Sequence, residues 1–154
     1  MSGPVARATH AGSGKLRGGC HCGRVRVLLQ TAVDPPLLQP RACDCSYCRR
    51  HGAGWISDPR GHLRIEATSA VDLGGYRQGS QAALFRLCRE CGVLVAVTCE
   101  DAGQLYGAVN AACLEDADRF ADRMPVSPQR LPPDERRGRW LQLWVPDVVI
   151  EYTG

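Results

Sequence analysis

The chain has 154 residues, a length that favours one domain over two. Hydrophobic residues make up 44% of the chain and charged residues 23%, a globular composition that excludes disorder throughout. No stretch approaches the roughly 18 consecutive apolar residues of a membrane span, so we expect no membrane partner. Residues 1–17 lack the apolar segment of a signal peptide, and we therefore expect a cytoplasmic protein.

We expect residues 1–14, which are small and polar, to form a mobile tail, and residues 15–154 to form a single domain. Alternating or continuous apolar runs, separated by segments rich in Gly, Pro, Asp and Ser, predict β-strands along this domain. The predicted strands are 24–29, 62–67, 71–76, 82–87, 93–98, 104–109 and 140–145. The sequence therefore predicts a mainly β fold whose turns carry the cysteines.

Little helix is predicted. One short helix is expected at residues 115–123, and one helical turn after Ser46. The segment 125–139 is rich in proline and arginine, which predicts an exposed loop. The apolar run 140–145 that follows predicts core packing or contact with a second subunit, so a homo-oligomer is possible.

Seven of the nine cysteines form three short groups. These groups are Cys20 with Cys22, then Cys43 with Cys45 and Cys48, then Cys88 with Cys91. In a chain without a secretion signal, clustered cysteines are more typical of metal ligands than of disulfides. A C-x-x-C turn directs two thiolates at one ion, and a glycine after it can adopt positive φ. The pattern therefore predicts zinc binding.

Seven ligands divide into one set of four and one set of three. Structural zinc is usually closed by four ligands, whereas catalytic zinc keeps three protein ligands and an open position. The count therefore predicts one structural and one reactive zinc ion. It does not say which groups pair, although joining the first group to the third is the most economical division, because the second is then a compact three-sulfur set.

Three alternatives remain open from the residues alone. The cysteines can form a disulfide framework, which the expected compartment disfavours. Both zinc sites can be structural if Cys99, Cys113, His21 or His51 completes the second. An iron–sulfur cluster also uses thiolates, but the spacings lack the runs found in ferredoxins.

Three strings carry a resemblance to a known family. They are GCHCGRV at 19–25, CDCSYCRR at 43–50 and CRECG at 88–92. In this order and at this spacing they resemble the glutathione-dependent formaldehyde-activating family, also called the centromere protein V family. The resemblance covers about residues 16–116.

This resemblance implies a tent-like domain of antiparallel β-sheets that binds two zinc ions per chain. It implies that the structural zinc is held by Cys20, Cys22, Cys88 and Cys91, and the catalytic zinc by Cys43, Cys45 and Cys48. The activity it implies is the joining of glutathione and formaldehyde into S-hydroxymethylglutathione, a carbon–sulfur lyase reaction. The partners would be a small thiol such as glutathione and a small aldehyde.

The competing hypothesis is a non-catalytic zinc module that binds a protein or a nucleic acid. The basic run 130–139 supports it, but Asp134, Glu135 and the prolines in that run are typical of a solvated loop. The formal charge of +3 is also weak support. Seven thiolates and two zinc ions would bring the charge to zero, so we do not expect nucleic acid to be the partner.

Two further residues are candidates for substrate binding. Arg49 directly follows the second cysteine group and can pair with a glutathione carboxylate, or it can balance the thiolates or face solvent. Asn110 interrupts an apolar strand, where it can bind substrate or make a structural hydrogen bond to a turn.

Overall fold

The computed structural model describes residues 14–154, which form two β-sheets and two α-helices. Apart from Gly14, the predicted tail lies outside the described residues. The strands are β1 (Lys15–Gly19), β2 (Val25–Gln30), β3 (Arg41–Cys43), β4 (Trp55–Ile56), β5 (His62–Ala67), β6 (Leu73–Tyr76), β7 (Leu84–Cys88), β8 (Leu94–Asp101), β9 (Gln104–Asn110), β10 (Met124–Val126) and β11 (Val148–Tyr152). The helices are α1 (Ser46–His51) and α2 (Pro133–Leu143).

The smaller sheet has four strands in the order β1-β2-β5-β11, and the larger has seven in the order β10-β3-β4-β9-β8-β7-β6. Neighbouring strands are antiparallel except at one edge of each sheet, where β11 pairs with β5 and β10 with β3 in parallel. The prediction of a mainly β fold with few helices is confirmed. The two parallel pairs arise because the C-terminal third of the chain adds an edge strand to each sheet.

The hydrophobic core depends on the alternation of β2 and β5. Val25, Val27 and Leu29 point inward from β2, and they pack with Leu63 and Ile65 of β5. In the larger sheet, β8 is buried over residues 94–99 because apolar residues cover both of its faces. Each fully buried side chain of this size contributes roughly 1.5–3 kcal/mol. Burial of these side chains therefore accounts for much of the stability of both sheets.

The predictions for the C-terminal third were wrong in three places. Residues 115–123 contain only a 3-10 turn at Ala117–Arg119, because the segment lacks the apolar stripe that would hold a helix on the core. The predicted loop 125–139 contains the end of β10 and the start of α2. The predicted strand 140–145 is helical as far as Leu143.

The sequence around α2 accounts for this helix. Pro133 occupies its first turn, where the backbone N–H that proline lacks would have no partner within the helix. Asp134 and Glu135 lie near the positive end of the helix dipole. The apolar run that follows has no strict alternation, so it fits a helix packed on a sheet as well as a strand. Within residues 14–154, no helix is long and apolar enough to cross a membrane.

Candidate active site and metal centres

The first and third cysteine groups meet between the two sheets. Cys20 and Cys22 lie in the β1–β2 turn, while Cys88 ends β7 and Cys91 lies in the β7–β8 turn. Their four sulfur atoms all lie within 4.8 Å of one another. Because β1 and β2 belong to the smaller sheet and β7 and β8 to the larger, this four-cysteine cluster joins the sheets.

Glycines shape both turns of the four-cysteine cluster. Gly23 has φ of 87° and Gly92 has φ of 79°, the left-handed conformation in which glycine avoids Cβ strain. The N–H of Gly92 donates to the carbonyl of Cys88 over 2.8 Å, and the N–H of Val25 donates to Cys20 Sγ over 3.3 Å. The turns therefore bring backbone amides against the sulfurs.

The sulfur spacing fits a tetrahedral zinc site. Cys22 Sγ lies 3.7 Å from Cys20 Sγ and 3.6 Å from Cys88 Sγ. Zinc–sulfur bonds of about 2.3 Å at tetrahedral angles place two sulfurs about 3.8 Å apart, whereas a disulfide joins them at about 2.05 Å. All nine cysteines lie in the described residues and all are free thiols. This cluster is therefore able to bind a metal ion, and a disulfide framework is not what forms.

Backbone amides favour the thiolate form of two cysteines in this cluster, Cys22 and Cys91, whereas burial raises the pKa of Cys88 to about 12. The pKa of Cys22 is lowered, chiefly by a hydrogen bond from the backbone N–H of Arg24. Burial acts to raise the pKa of Cys91, but the N–H groups of Val93 and Cys22 outweigh it and lower the pKa to about 6. Thiolate is the form that binds zinc, so these amides prepare the site for the metal.

The second cysteine group surrounds the start of α1. Cys43 ends β3, Cys45 is the residue that caps the N-terminus of α1, and Cys48 lies in its first turn. The N–H of Cys48 donates to Cys45 Sγ over 3.3 Å, a helix cap made with sulfur in place of oxygen. The three sulfurs lie within 4.8 Å of one another, so this three-cysteine cluster is also able to bind a metal ion.

The protonation states of the three sulfurs depend on one another, because the sulfurs are joined by hydrogen bonds. Hydrogen bonds from the Cys43 and Cys48 thiols lower the pKa of Cys45 to about 2. The pKa of Cys43 is raised chiefly by its hydrogen bond with Cys45, and that of Cys48 chiefly by its hydrogen bond with Cys43. One thiolate supported by two thiols is thus favoured, because three negative sulfurs at this spacing repel one another. A divalent cation removes this repulsion, which is the chemistry of a metal site.

Two neutral side chains hold the three-cysteine cluster from outside. Trp55 Nε1 donates to Cys48 Sγ over 3.4 Å, and Gln78 Nε2 donates to Cys45 Sγ over 3.9 Å. Groups that bond to the ligands in this way orient them and adjust their basicity. The cluster is therefore positioned by β4 and by the loop after β6 as well as by its own turn.

The four candidates for a fourth ligand lie elsewhere. Cys99 is buried in β8, and Cys113 Sγ donates to the carbonyl of Leu94 over 3.3 Å. His21 and His51 are exposed. Among residues 14–154, the group that includes Cys43 contains three sulfurs and no further ligand. Its donor set is that of a site with one open position.

A cavity of about 400 Å³ lies beside the three-cysteine cluster. One wall is formed by residues of the larger sheet and of α1, and the other by the chain from β10 to the end of α2. The lining residues are Arg41, Cys43, Cys45, Cys48, Trp55, Gln78, Ser80, Ala83, Phe85, Val97, Val126, Ser127, Pro128, Gln129, Leu131, Arg136, Arg139, Trp140, Leu143 and Trp144. This volume lies at the lower end of the range for small-molecule sites, roughly 300–1,000 Å³.

The charged side chains that line the cavity are all arginines. Arg136 donates to the carbonyls of Pro128 and Leu131 over 3.1 and 3.0 Å, and so holds the loop before α2. Arg41 donates to Ser57 Oγ over 2.7 Å. Its pKa is lowered by burial and, to a smaller extent, by the charge of Arg139. Among the described residues, no His, Lys, Asp or Glu lines this cavity.

The two predicted substrate-binding residues lie outside the cavity lining. Arg49 is exposed on α1. The cavity arginines were missed, although one signal was available in the sequence. Arg41 lies two residues before Cys43 on β3, and side chains two apart on a strand share a face. Arg139 and Trp140 were missed because their place depends on α2.

Asn110 is buried, with 5% of its surface exposed, and its side-chain amide bonds to three backbone groups. It accepts from the N–H groups of Gly54 and Ala112, both over 3.3 Å, and donates to the carbonyl of Leu94 over 2.9 Å. This arrangement supports the structural alternative, in which Asn110 closes the turn after β9.

We expect Asn110→Ala to destabilise the fold without weakening thiol binding. The substitution removes three hydrogen bonds and leaves the buried N–H of Gly54 unpaired. The carbonyl of Leu94 keeps the bond from Cys113 Sγ, and Ala112 is exposed. We therefore expect a total loss of about 2–4 kcal/mol. Urea unfolding measures the free energy of unfolding, and calorimetry measures thiol binding by the folded fraction. A folded Asn110→Ala protein that no longer binds thiol would show instead that Asn110 contacts substrate.

Comparisons with known proteins agree with this geometry. A family profile described as glutathione-dependent formaldehyde-activating enzyme matches residues 15–129. The crystal structure of a Rhodobacter sphaeroides protein is similar, with 28% sequence identity and a TM-score of 0.53, over 70% of this chain and 99% of that one. The profile match contains both cysteine clusters and ends before α2.

Proposed function

The chain belongs to the family of glutathione-dependent formaldehyde-activating enzymes, and we propose that it is a zinc-dependent carbon–sulfur lyase acting on a thiol–aldehyde adduct. The observation that carries the proposal is the three-cysteine cluster, which presents three convergent sulfurs to a cavity large enough for a small molecule. In this proposal the four-cysteine cluster holds the structural zinc and the three-cysteine cluster holds the catalytic zinc. The thiol is glutathione or a similar small thiol, and the location is the reducing cytoplasm.

The reaction balances without an oxidant or reductant. In the direction of synthesis, the thiol sulfur forms a bond to the aldehyde carbon, the carbonyl double bond becomes a single bond, and the thiol proton ends on the carbonyl oxygen. The lyase direction reverses each change. Zinc held by Cys43, Cys45 and Cys48 would act as a modest Lewis acid and would lower the pKa of a thiol bound to it.

The side chains of the cavity bind and orient more than they transfer protons. Among residues 14–154 no His, Lys, Asp or Glu lines it, so in this proposal solvent water carries the proton from sulfur to oxygen. That suffices for this reaction, because a thiol adds to an aldehyde readily even without a catalyst. Trp55 keeps Cys48 in place, and the aromatic walls limit the access of water.

The alternative of a nucleic-acid or protein module loses its main support in α2. Arg136 and Arg137 lie in the basic run, but both guanidinium groups hold backbone carbonyls. Arg137 donates to the carbonyl of Glu100 over 2.6 Å and to Asp101 Oδ1 over 3.0 Å. These two guanidinium groups are therefore not free to bind phosphates, and the three-cysteine cluster faces a cavity rather than a flat surface.

We expect the purified protein to bind two zinc ions per chain with unequal affinity. The four-cysteine cluster closes its ion completely, whereas the three-cysteine cluster offers one ligand fewer. Elemental analysis after graded treatment with a chelator should show one zinc lost well before the other. A stoichiometry of one that added zinc does not change, under reducing conditions, would contradict the second site.

Glutathione should change the absorption spectrum of the cobalt-substituted protein. The three-cysteine cluster leaves one position open, and a thiolate entering there would alter the visible bands, as would release of the metal by the thiol. S-Methylglutathione is the control, because it lacks the free thiol. An unchanged spectrum at millimolar glutathione, with both cobalt ions present, would refute the proposed function.

A further inference from the structure

None of the three arginines that line the cavity forms an ion pair within residues 14–154. Arg136 is held by two backbone carbonyls, which leaves two positive side chains free in the cavity, those of Arg41 and Arg139. Arg41 is half-buried, and among the described residues its guanidinium bonds only to the neutral Ser57 hydroxyl. Arg139 is exposed, so water screens its charge, but the charge of Arg41 is partly desolvated, and an anion bound beside both arginines would give Arg41 a charged partner.

The same cavity has an unused hydroxyl. Ser127 Oγ is buried and, among the residues that the structure describes, has no hydrogen-bond partner. Ser127 also lines the cavity, at the loop between β10 and α2. Buried polar groups are nearly always paired, so a ligand with a polar atom at this end of the cavity would give the Ser127 hydroxyl a hydrogen-bond partner.

The wall formed by α2 is aromatic. The Trp140 and Trp144 rings stack with their centroids 4.9 Å apart and their planes 12° apart. Trp144 is buried, while Trp140 and Leu143 are half-buried and line the cavity with it. An adduct of formaldehyde, which contributes a single carbon, would leave most of this apolar wall in contact with water.

We propose that the site recognises adducts in which the thiol part carries a carboxylate and the aldehyde part is apolar and larger than formaldehyde. Arg41 and Arg139 bind the glycyl carboxylate, which unlike the γ-glutamyl carboxylate has no ammonium group beside it, and Trp140 packs against the aldehyde-derived group. Arginine suits the first task because its planar fork bonds to both carboxylate oxygens. This inference rests on the proposed function and specifies its substrate class.

Three unreactive ligands test the inference by calorimetry on the two-zinc protein. They are S-methylglutathione, S-benzylglutathione and the glycyl ethyl ester of S-benzylglutathione. We expect the benzyl compound to bind about tenfold or more tightly than the methyl compound, because burial of an aromatic ring contributes roughly 1.5–3 kcal/mol. We expect the ester to bind about tenfold or more weakly than the acid, because it loses a charge-assisted hydrogen bond.

Variants assign each effect to a residue. Arg139→Gln should weaken the acid about tenfold and leave the ester unchanged, since the ester has already lost the interaction. Trp140→Leu should remove most of the preference for benzyl over methyl. Arg60→Gln is the matched control, because Arg60 is an exposed arginine that does not line the cavity. Zinc content and melting temperature show that each variant is folded.

Several results would overturn the inference. Equal binding of the acid and the ester would exclude recognition of the glycyl carboxylate. Equal binding of the methyl and benzyl compounds would exclude recognition of an apolar aldehyde-derived group by the wall that contains Trp140. Weakening of the acid by Arg49→Gln but not by Arg139→Gln would assign the carboxylate to α1 instead. The ligand comparisons on the unchanged protein remain decisive if a variant fails to fold.

The inference can fail while the proposed function stands. The three probes lack a free thiol, so their binding reports on the cavity walls alone. A cobalt spectrum that responds to glutathione, together with no preference among the probes, would refute the substrate class and keep the lyase. A preference among the probes with an unresponsive cobalt spectrum would refute the lyase.

Discussion

Replacing Cys88 with serine is expected to prevent the chain from folding at 37 °C. Cys88 has 0% of its surface exposed, and its cluster joins the two sheets. The binding free energy of structural zinc is folding free energy, roughly 10–16 kcal/mol in small zinc domains at pH 7. That equals or exceeds the total stability of a typical domain, about 5–15 kcal/mol. Circular dichroism and thermal unfolding at fixed zinc concentration measure the loss.

Cys113→Ser is the matched control for this variant. Cys113 is half-buried near the four-cysteine cluster, and burial raises the pKa of its thiol to about 11, but its sulfur belongs to neither cluster. We expect it to lower the melting temperature only slightly, because serine can donate the same hydrogen bond to the carbonyl of Leu94. A Cys88→Ser protein that melts as high as Cys113→Ser would show that the cluster does not hold the fold together.

The three short cysteine groups were accessible from the sequence because they depend on local chemistry, whereas the pairing of the first group with the third came from the family resemblance. A C-x-C or C-x-x-C turn presents its sulfurs whatever the rest of the chain does, and only a few turns compete for the same ion. The strands around these turns were also predictable, since β2, β5 and β8 carry apolar residues with the period of a half-buried or buried strand. Local pattern and tertiary structure agree in this part of the molecule.

The cavity could not be predicted from the sequence in the same way. Its second wall comes from the segment between β10 and the end of α2, where the pattern favoured a loop followed by a strand. The position of Arg139 depends on that helix packing across β8, which Arg137 secures through the backbone of Glu100. Tertiary contacts of this kind leave no periodic trace in the sequence. The sequence therefore favoured Arg49, which is adjacent to the cluster in the chain, and offered no prediction for Arg41.

The cavity combines residues inside the family profile with residues of α2, which lies beyond it. The family profile ends at residue 129, so it includes the sulfurs and the sheet wall but not α2. The chemistry proposed for the three-cysteine cluster would thus depend on the part of the fold that the profile matches. Most of the aromatic surface and Arg139, which would select the substrate, depend on the part beyond it. A site built in this way can keep one reaction while its substrate range changes.

Replacing Cys48 with serine should abolish the reaction and leave the chain folded. Cys48 is 2% exposed, and the serine hydroxyl can still accept the hydrogen bond from Trp55 Nε1, so we expect little loss of melting temperature. The variant should retain one zinc, because only two sulfurs remain for the second. Loss of a neighbour of a metal ligand costs about 10–100-fold, so we expect loss of a ligand itself to cost about 100-fold or more in rate.

Exchange NMR of a mixture of glutathione and formaldehyde measures this rate, because the free thiol and the adduct interconvert at equilibrium. The uncatalysed exchange is subtracted, and Cys113→Ser provides the control with both clusters intact. The comparison of Cys48→Ser with Cys88→Ser then separates the two sites: one variant loses the reaction and keeps its fold, and the other loses both. A folded Cys48→Ser protein that accelerates exchange as well as the control would show that the reaction does not depend on the three-cysteine cluster, and the lyase would have to be sought elsewhere on the fold.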